Sequence, residues 1–187
     1  MCIESLRTFG WDVHFESGFA QFADTGLVPG RIVQQNRQLY SIYTAHGELL
    51  ADTSGKLRFN TWGREDLPAV GDWVAIRSRL DESRATIHAV LPRKSQFIRK
   101  VAGKRTEAQV IAANMDWVFV MTSLNQEFSA RRLERYLVLA WESGALPVVV
   151  LSKADLCAHK ESRIAAARVK AAGIPIHPIS VFTGEGP

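Results

Sequence analysis

Short runs of alternating apolar and polar residues fill the chain from about residue 27 to residue 92. Turn-forming residues separate five such runs, which are predicted to be strands at 31–35, 38–44, 48–53, 72–77 and 84–91. Five short strands in about 65 residues favour a closed β-barrel over a sandwich, and an OB-fold is the obvious candidate. That fold commonly presents a strand face and loops to single-stranded nucleic acid, although a barrel can equally bind protein or nothing.

The pattern changes after residue 106, where wholly apolar runs alternate with segments of helical spacing. The apolar runs at 117–122, 147–151 and 174–179 are predicted strands. The segments at 130–143 and 161–172 are predicted helices, each followed by a glycine where a helix commonly ends. Strands that are apolar on both faces indicate a parallel sheet covered by helices, so we predict a β-α-β-α-β unit.

Composition places the chain among globular proteins, because 47% of its 187 residues are hydrophobic and 22% are charged. Its apolar runs are far shorter than the roughly 20 residues that span a bilayer, and its N-terminus lacks the apolar core of a signal peptide. Cys2 and Cys157 indicate neither a disulfide framework nor a cysteine-based metal site. We therefore expect a cytoplasmic protein that does not contact a membrane.

Positive charge is concentrated between residues 83 and 106, where seven Arg or Lys residues occur without an Asp or Glu. Such a run can neutralise phosphates and release their counterions, which favours contact with RNA. On charge alone, a solvated linker is an equally good interpretation. The candidate RNA-binding residues, in this run and in the predicted barrel, are Lys56, Arg58, Arg93, Lys94, Arg99, Lys100, Lys104 and Arg105.

Two polar segments follow directly after predicted parallel strands, at the edge where open sheets bind ligands. Guanine has two adjacent hydrogen-bond donors, N1–H and the exocyclic amine. The Asp155 carboxylate, in the first of these segments, can accept both, whereas adenine would leave the carboxylate unpaired. The stem of Lys153 can lie across the base, and a backbone N–H near Val181 can donate to guanine O6. A Lys–Asp pair that caps the next helix is the alternative interpretation. The candidate nucleotide-binding residues are Ser152, Lys153, Ala154, Asp155, Ser180 and Val181.

Seven stretches carry a family resemblance: PGRI at 29–32, SGKLR at 54–58, AVGDWV at 69–74, LPRKS at 91–95, AGKRTEAQVIAANMDWVFV at 102–120, RRLERYLVLAWESGALPVVVLSKADL at 131–156 and TGEG at 183–186. They resemble the ribosome small-subunit-dependent GTPase A family, circularly permuted bacterial GTPases of late small-subunit assembly. The resemblance implies that 152–155 is the guanine-specificity motif and that 180–181 is the second base-contacting motif. The chain departs from the family at Ser152, usually Asn or Thr, and at Val181, usually Ala.

The predicted architecture is a β-barrel of OB-fold type followed by α/β, the partial parallel sheet of a circularly permuted P-loop GTPase. Residues 1–26 are expected to be an N-terminal extension that packs onto another part of the protein, and 27–92 the RNA-binding barrel. A basic linker is expected at 93–106. The first half of the permuted GTPase domain is expected at 107–187.

The phosphate loop of the family, Gly-x4-Gly-Lys-Ser/Thr, is expected after the two base-contacting motifs, and switch segments and a zinc-binding domain are expected after it. The Gly-Lys pairs at 55–56 and 103–104 are followed by Leu and Arg, so neither fits. We therefore expect a chain truncated before the phosphate loop, with no catalytic residue and no metal ligand of its own. GTP or GDP with Mg²⁺ is implied for the full-length family, and zinc only for its C-terminal domain.

The function implied by the resemblance is that of a ribosome-biogenesis GTPase in late maturation of the small ribosomal subunit. Its implied partners are the small subunit, its rRNA and guanine nucleotide. The alternative is a stand-alone RNA- or ribosome-binding module without GTPase activity, and a third reading is a decaying gene product with neither activity.

The strand at 117–122 would lack the neighbour that leads into the phosphate loop. We therefore expect an open sheet edge there, and an uncovered sheet face that exposes Val118, Val120, Val148 or Val150. On this basis residues 107–187 are expected to be loosely folded or self-associating.

Overall fold

The computed structural model of the chain describes residues 4–37, 39–101 and 107–186, and for 100, 101 and 107 the backbone only. The chain divides into two compact units, a first unit of Met1–Asn114 and a second unit of Met115–Pro187. Across the described ranges, every helix is too short or too polar to cross a membrane.

Five strands of the first unit close into a barrel in the order β1-β2-β3-β5-β4. They are β1 (Val28–Asn36), β2 (Leu39–Thr44), β3 (Gly47–Thr53), β4 (Trp73–Arg79) and β5 (Arg84–Val90). Neighbouring strands are antiparallel except for β3 and β5, which are parallel. Closure leaves the barrel without a free edge. The predicted OB-type barrel is confirmed.

The barrel core is built from the inward-facing residues of these strands. Ile32, Ile42, Ile76 and Ile87 are fully buried in one apolar cluster. Gly30 lies so close to this cluster that an added Cβ would come within 2.5 Å of the Ile42 side chain, so the packing there requires a glycine.

The N-terminal segment packs against the barrel through aromatic side chains. It contains α1 (Glu4–Arg7) and α2 (Val13–Phe19), and the Asp12 carboxylate caps α2 by accepting the His14 N–H at 3.0 Å. The Trp11 and Phe15 rings lie with their centroids 4.7 and 5.8 Å from that of Trp73 in β4. The segment therefore adds a small second apolar cluster to the first unit.

Two elements of the first unit differ from the expectation. A short helix, α3 (Gly55–Asn60), follows β3 where the sequence suggested a turn. β6 (Gln96–Val101) and β7 (Glu107–Ala113) pair as antiparallel strands. The expected linker at 93–106 is thus corrected where the structure describes it, because 96–101 is a strand, and 107–113 belongs to the first unit rather than to the α/β half.

The second unit has the predicted β-α-β-α-β order. It comprises β8 (Trp117–Ser123), α4 (Ala130–Glu142), β9 (Leu146–Ser152), α5 (Lys160–Lys170) and β10 (Ile176–Pro178). The three strands are parallel and lie in the order β10-β9-β8, so successive strands are neighbours. Among the residues that the structure describes, β8 and β10 each pair with β9 alone, so β8 forms one of the two open edges of the sheet.

One face of this sheet is covered by α4 and α5, which bury Leu133, Leu137, Val149 and Leu151 in one cluster. The other face carries the outward-facing residues of β8. An uncovered face was therefore rightly expected, but only some of the residues expected on it lie there.

The exposed residues of β8 are Trp117, Phe119 and Met121, and the fractional exposure of Phe119 is 68%. Val120 and Val148 are both buried, and Val118 packs against the helix-covered cluster. The expectation is wrong for Val118 and Val120, because strand alternation places both on the covered face. Val150 lies on the uncovered face and is partly exposed, as expected. Val148 shares the uncovered face but lies on the central strand, where its neighbours shield it.

Candidate functional site

The ends of β9 and β10 bring the two predicted base-contacting segments together. β10 runs parallel to β9, and the Ile179 N–H donates to the Leu151 carbonyl at 2.9 Å. The Ala154 N–H in turn donates to the Ile179 carbonyl at 3.1 Å. These two bonds extend the ladder beyond the strands and fix the loop after β9 against the loop after β10.

A side-chain hydrogen bond joins the two loops. The Ser180 hydroxyl donates to Asp155 Oδ1 at 2.5 Å, and the same Ser180 oxygen accepts the Thr183 N–H at 3.1 Å. Ser180 is buried, and its own N–H donates to the Glu185 carbonyl at 2.7 Å. Asp155 is exposed, and its second oxygen, Oδ2, accepts no bond from the described residues. The carboxylate is therefore held by one oxygen and open at the other.

Lys153 has a backbone conformation that is uncommon for its type. Its φ is +57° and its ψ is +41°, in the left-handed region that side chains other than Gly, Asn and Asp seldom adopt. Non-glycine residues in that region cost about 1–3 kcal/mol each and cluster at ligand sites. The turn leaves the Lys153 side chain exposed and Ala154 buried beneath it.

The remaining predicted nucleotide residues lie at the same edge. Ser152 is half-buried, and its carbonyl accepts the Leu124 N–H at 2.8 Å. Val181 is almost fully exposed, and its N–H donates to no acceptor within the described ranges. Lys160 forms an ion pair with Glu185, which ties the loop after β10 to the start of α5. All six predicted residues are thus gathered at one sheet edge.

The predicted RNA-binding residues belong to the first unit. Those that the structure describes differ in their exposure and in whether their side chains bond to other protein groups. Lys56 and Arg58 are exposed on α3, and Arg99 is exposed on β6. Arg58 also donates from Nε to the Thr53 hydroxyl at 2.6 Å. Lys104 and Arg105 lie outside the described residues, as does the side chain of Lys100.

Arg93 is an internal structural residue. Its Nε and Nη2 donate to the two oxygens of the buried Asp72 carboxylate at 2.8 and 2.7 Å. Its Nη1 donates to the Glu65 carbonyl at 2.7 Å, and Nη2 also donates to the Leu67 carbonyl at 2.9 Å. Protein acceptors thus occupy the guanidinium, and an RNA phosphate would have to compete with them for Arg93.

Lys94 is also engaged within the first unit. It forms an ion pair with Asp12, and its ammonium lies 4.9 Å from the centroid of the Phe15 ring. Burial raises the pKa of Asp12, but the hydrogen bond and the charge of Lys94, with the backbone N–H groups of His14 and Phe15, hold that pKa below its usual value. An RNA phosphate would have to compete with this carboxylate for Lys94.

No three His, Cys, Asp or Glu side chains are grouped so as to hold a metal ion in the part of the chain that the structure describes.

The fold resembles that of two solved structures. YjeQ from Thermotoga maritima superposes with a TM-score of 0.66 at 24% identity, covering 86% of this chain and 54% of YjeQ. YloQ, described as a circularly permuted GTPase, superposes with a TM-score of 0.64 at 22% identity, covering 83% of this chain and 52% of YloQ. These similarities confirm the barrel and the partial sheet of a circularly permuted GTPase.

Curated relatives match at higher identity. Small ribosomal subunit biogenesis GTPase RsgA 2 of Lactiplantibacillus plantarum is 44% identical over 163 residues, which cover 87% of this chain and 46% of that protein. Small ribosomal subunit biogenesis GTPase RsgA of Opitutus terrae is 40% identical over 193 residues, covering 97% of this chain and 52% of that protein. The chain spans about half the length of these relatives.

The family model described as RsgA GTPase matches residues 90–187, which is more than half of the chain. The resemblance identified from the sequence motifs is confirmed, and the chain belongs to the RsgA GTPase family.

Proposed function

We propose that the second unit binds the base of a guanine nucleotide at the edge formed by the loops after β9 and β10. One observation carries the proposal: the Ser180 hydroxyl donates to Asp155 Oδ1 at 2.5 Å, across 25 positions in the sequence. A buried serine thereby orients a carboxylate whose other oxygen is open to solvent. Such a fixed, exposed acceptor is what the adjacent donors of guanine require.

The chemistry of recognition follows from the donors and acceptors of the base. Guanine N1–H and its exocyclic amine donate to the Asp155 carboxylate, which has about four lone-pair positions and uses one for Ser180. The open N–H of Val181 donates to guanine O6, and the stem of Lys153 covers the base. Adenine N1 is an acceptor, whereas guanine N1–H is a donor. Adenine N1 would therefore face the Asp155 carboxylate, a second acceptor, without a hydrogen between them.

We further infer that the chain acts in biogenesis of the small ribosomal subunit, as the names of its relatives state for those proteins. The first unit would contact rRNA through Lys56, Arg58 and Arg99, together with the basic residues outside the described ranges, Lys100, Lys104 and Arg105. An RNA-binding module without nucleotide binding is the second candidate, and these exposed cations are the observation that favours it.

Hydrolysis of GTP by this chain is not expected. Phosphoryl transfer depends on groups that position and neutralise the phosphates, and neither Gly-Lys pair of the chain is followed by Ser or Thr. The proposed role of these residues is base recognition. The purified chain should therefore show no GTP turnover with or without small ribosomal subunits, and turnover that Asp155→Asn abolishes would contradict this expectation.

Calorimetric titration with GDP, ADP and XDP tests base recognition. The wild-type chain should prefer GDP over ADP, and Asp155→Asn should weaken GDP binding by roughly 10- to 100-fold, because hydrogen bonds to a charged group contribute about 1.5–3 kcal/mol. The same variant should improve XDP binding, since xanthine presents a carbonyl that the Asn amide can donate to.

Asp81→Asn is the matched control, because it makes the same change at an exposed aspartate of the first unit. Equal affinity of the wild-type chain for GDP and ADP would contradict the proposal. So would an Asp155→Asn variant with the nucleotide preference of the wild type.

A further inference from the structure

Two aromatic side chains of the first unit stand almost wholly in water. Phe59, at the end of α3, is 91% exposed, and Trp62, in the loop that follows, is 98% exposed. Most large aromatic residues bury the greater part of their surface, so an exposed Trp next to an exposed Phe is uncommon. Phe59 and Trp62 are referred to below as the aromatic pair.

The backbone that carries the aromatic pair is anchored on both sides. Ser54 Oγ accepts the Leu57 N–H at 3.1 Å and so caps α3, while the Leu57 side chain packs against the barrel core. The Thr61 hydroxyl donates to the Leu57 carbonyl at 2.7 Å. Asp66 Oδ2 accepts the Trp62 N–H at 3.2 Å and the following N–H at 3.3 Å. The rings are therefore exposed on an ordered backbone, which lowers the entropic cost of binding through them.

Three cations lie close in sequence to the aromatic pair. Residues 53–64 contain Lys56, Arg58 and Arg64 and no Asp or Glu, although Asp52 precedes this segment and Glu65 and Asp66 follow it. Asp66 already accepts two backbone N–H groups of the loop. Apolar rings interleaved with cations suit a ligand with flat apolar groups and a negative backbone.

The barrel strands next to α3 also carry basic side chains. Arg77 is an exposed residue of β4, and His88 lies on β5, which pairs with β4 and with β3, the strand that leads into α3. Burial lowers the pKa of His88, and the positive charges of Arg77 and Lys56 lower it further. Cations of the first unit are therefore not confined to α3.

We propose that the aromatic pair stacks on successive bases of single-stranded RNA, while Lys56, Arg58 and Arg64 contact its phosphates. This deepens the RNA contact of the proposed function and rests on it. Single-stranded RNA fits better than a duplex because unpaired bases offer their flat faces, which a helix hides between neighbouring base pairs. Single-stranded RNA also fits better than a protein surface. The cations lie within a few residues of the rings in the sequence, and each base of RNA is likewise close to a phosphate.

Fluorescence anisotropy of the full chain with a fluorescein-labelled 12-nucleotide oligouridylate tests the proposal. Phe59→Ala and Trp62→Ala should each raise the Kd about 5- to 150-fold and leave the slope of log affinity against log salt unchanged. Lys56→Ala should instead flatten that slope by roughly 0.7, because it removes one phosphate contact. The two classes of variant thus separate stacking from charge.

Conservative variants distinguish stacking from simple burial of apolar surface. Trp62→Phe keeps a flat ring and should bind nearly as the wild type does, whereas Trp62→Leu should lose as much affinity as Trp62→Ala. Trp141→Ala, at a half-exposed tryptophan of α4 in the second unit, is the control and should leave RNA affinity unchanged. Circular dichroism of each variant checks that the fold is retained.

Each outcome bears on a different claim. If the wild-type chain binds the oligonucleotide and the aromatic variants bind equally well, stacking is overturned while RNA contact stands. If the wild-type chain binds neither single-stranded nor duplex RNA, the proposed RNA contact fails and the stacking with it. Unchanged RNA affinity together with weaker binding to ribosomal proteins would assign the aromatic pair to a protein partner, and the stacking proposal would be wrong.

Discussion

Asp72 is a fully buried carboxylate at the start of β4, and its partners determine how the first unit is held together. Arg93 binds it through two hydrogen bonds of 2.8 and 2.7 Å, and the Ala69 N–H donates to it at 2.8 Å. The other donors of Arg93 reach the carbonyls of Glu65 and Leu67. One ion pair therefore fastens the loop before β4 to the segment after β5.

Removal of Asp72 should be strongly destabilising. Asp72→Ala leaves the Arg93 guanidinium mostly buried without its counterion, which costs about 3–5 kcal/mol. Urea unfolding followed by tryptophan fluorescence measures the loss. The exposed Asp81→Ala is the control and should change the free energy of unfolding by less than about 0.5 kcal/mol.

The double variant Asp72→Ala/Arg93→Met tests the reason for that loss. Because it removes both charges, it should be more stable than Asp72→Ala alone. A double variant less stable than the single one would show that the packing of the two side chains, and not the unpaired charge, governs stability.

His88 provides a second prediction at the residue scale. Burial, then the charges of Arg77 and Lys56, lower its pKa below 6.5. The unfolded chain therefore binds the proton more readily, and the stability contributed by neutral His88 is complete above about pH 6.5 and is lost as the pH falls towards the folded pKa. An NMR titration should give a pKa below 6.5 that rises in Lys56→Gln, and an unaltered pKa in that variant would contradict the assignment of the cause.

At the scale of elements, the alternation of apolar and polar residues was sufficient to predict the barrel. Each predicted strand overlaps an observed one, because alternation reports which face of a strand is buried. α3 was missed because Ser54 and Gly55 resemble a turn, although Ser54 is also a helix cap. β6 was missed because its exposed positive charges suggested a linker, and its pairing with β7 is not visible in its own pattern.

For the candidate nucleotide site, the sequence was sufficient to predict which residues lie near one another but not the contacts between their side chains. The residues Asp155 and Ser180 could be placed at one edge because parallel strands end together. The hydrogen bond between them depends on side-chain geometry that no spacing encodes. The ion pair of Arg93 was missed for a related reason, since a positive charge in a sequence gives no sign of the buried carboxylate that it binds.

The contact between the two loops leads to a prediction for nucleotide binding. Ser180→Ala removes the hydroxyl that holds Asp155 Oδ1 and should weaken GDP binding by roughly 3- to 10-fold, a smaller loss than Asp155→Asn because the carboxylate itself remains. Calorimetric titration measures this. Ser162→Ala, at an exposed serine of α5, is the control. A Ser180→Ala variant that binds GDP as the wild type does would remove the orienting role of Ser180.

At the scale of the whole molecule, the main exposed apolar surface is one face of the sheet in the second unit. Trp117, Phe119 and Met121 all stand more than half exposed on one face of β8. Each apolar side chain left in water forgoes about 1.5–3 kcal/mol, which is large against a net stability of about 5–15 kcal/mol. The same strand has an open edge within the described residues, and exposed apolar edges recruit further strands.

We therefore expect the purified chain to self-associate through β8, with the exposed face of a second copy packing against the same face about a two-fold axis. Sedimentation velocity should show a mass that rises with concentration, and Phe119→Lys should return it towards the monomer. Val169→Lys is the control, because Val169 is more exposed than Phe119 but lies on α5, away from the sheet face. A wild-type chain that stays monomeric, with β8 amides protected from hydrogen exchange as well as those of the barrel, would contradict this prediction. If the β8 amides of a monomeric chain are protected from exchange, the backbone of β8 is stable despite its exposed side chains. The packing of α4 and α5 on the other face would then be sufficient to stabilise the sheet.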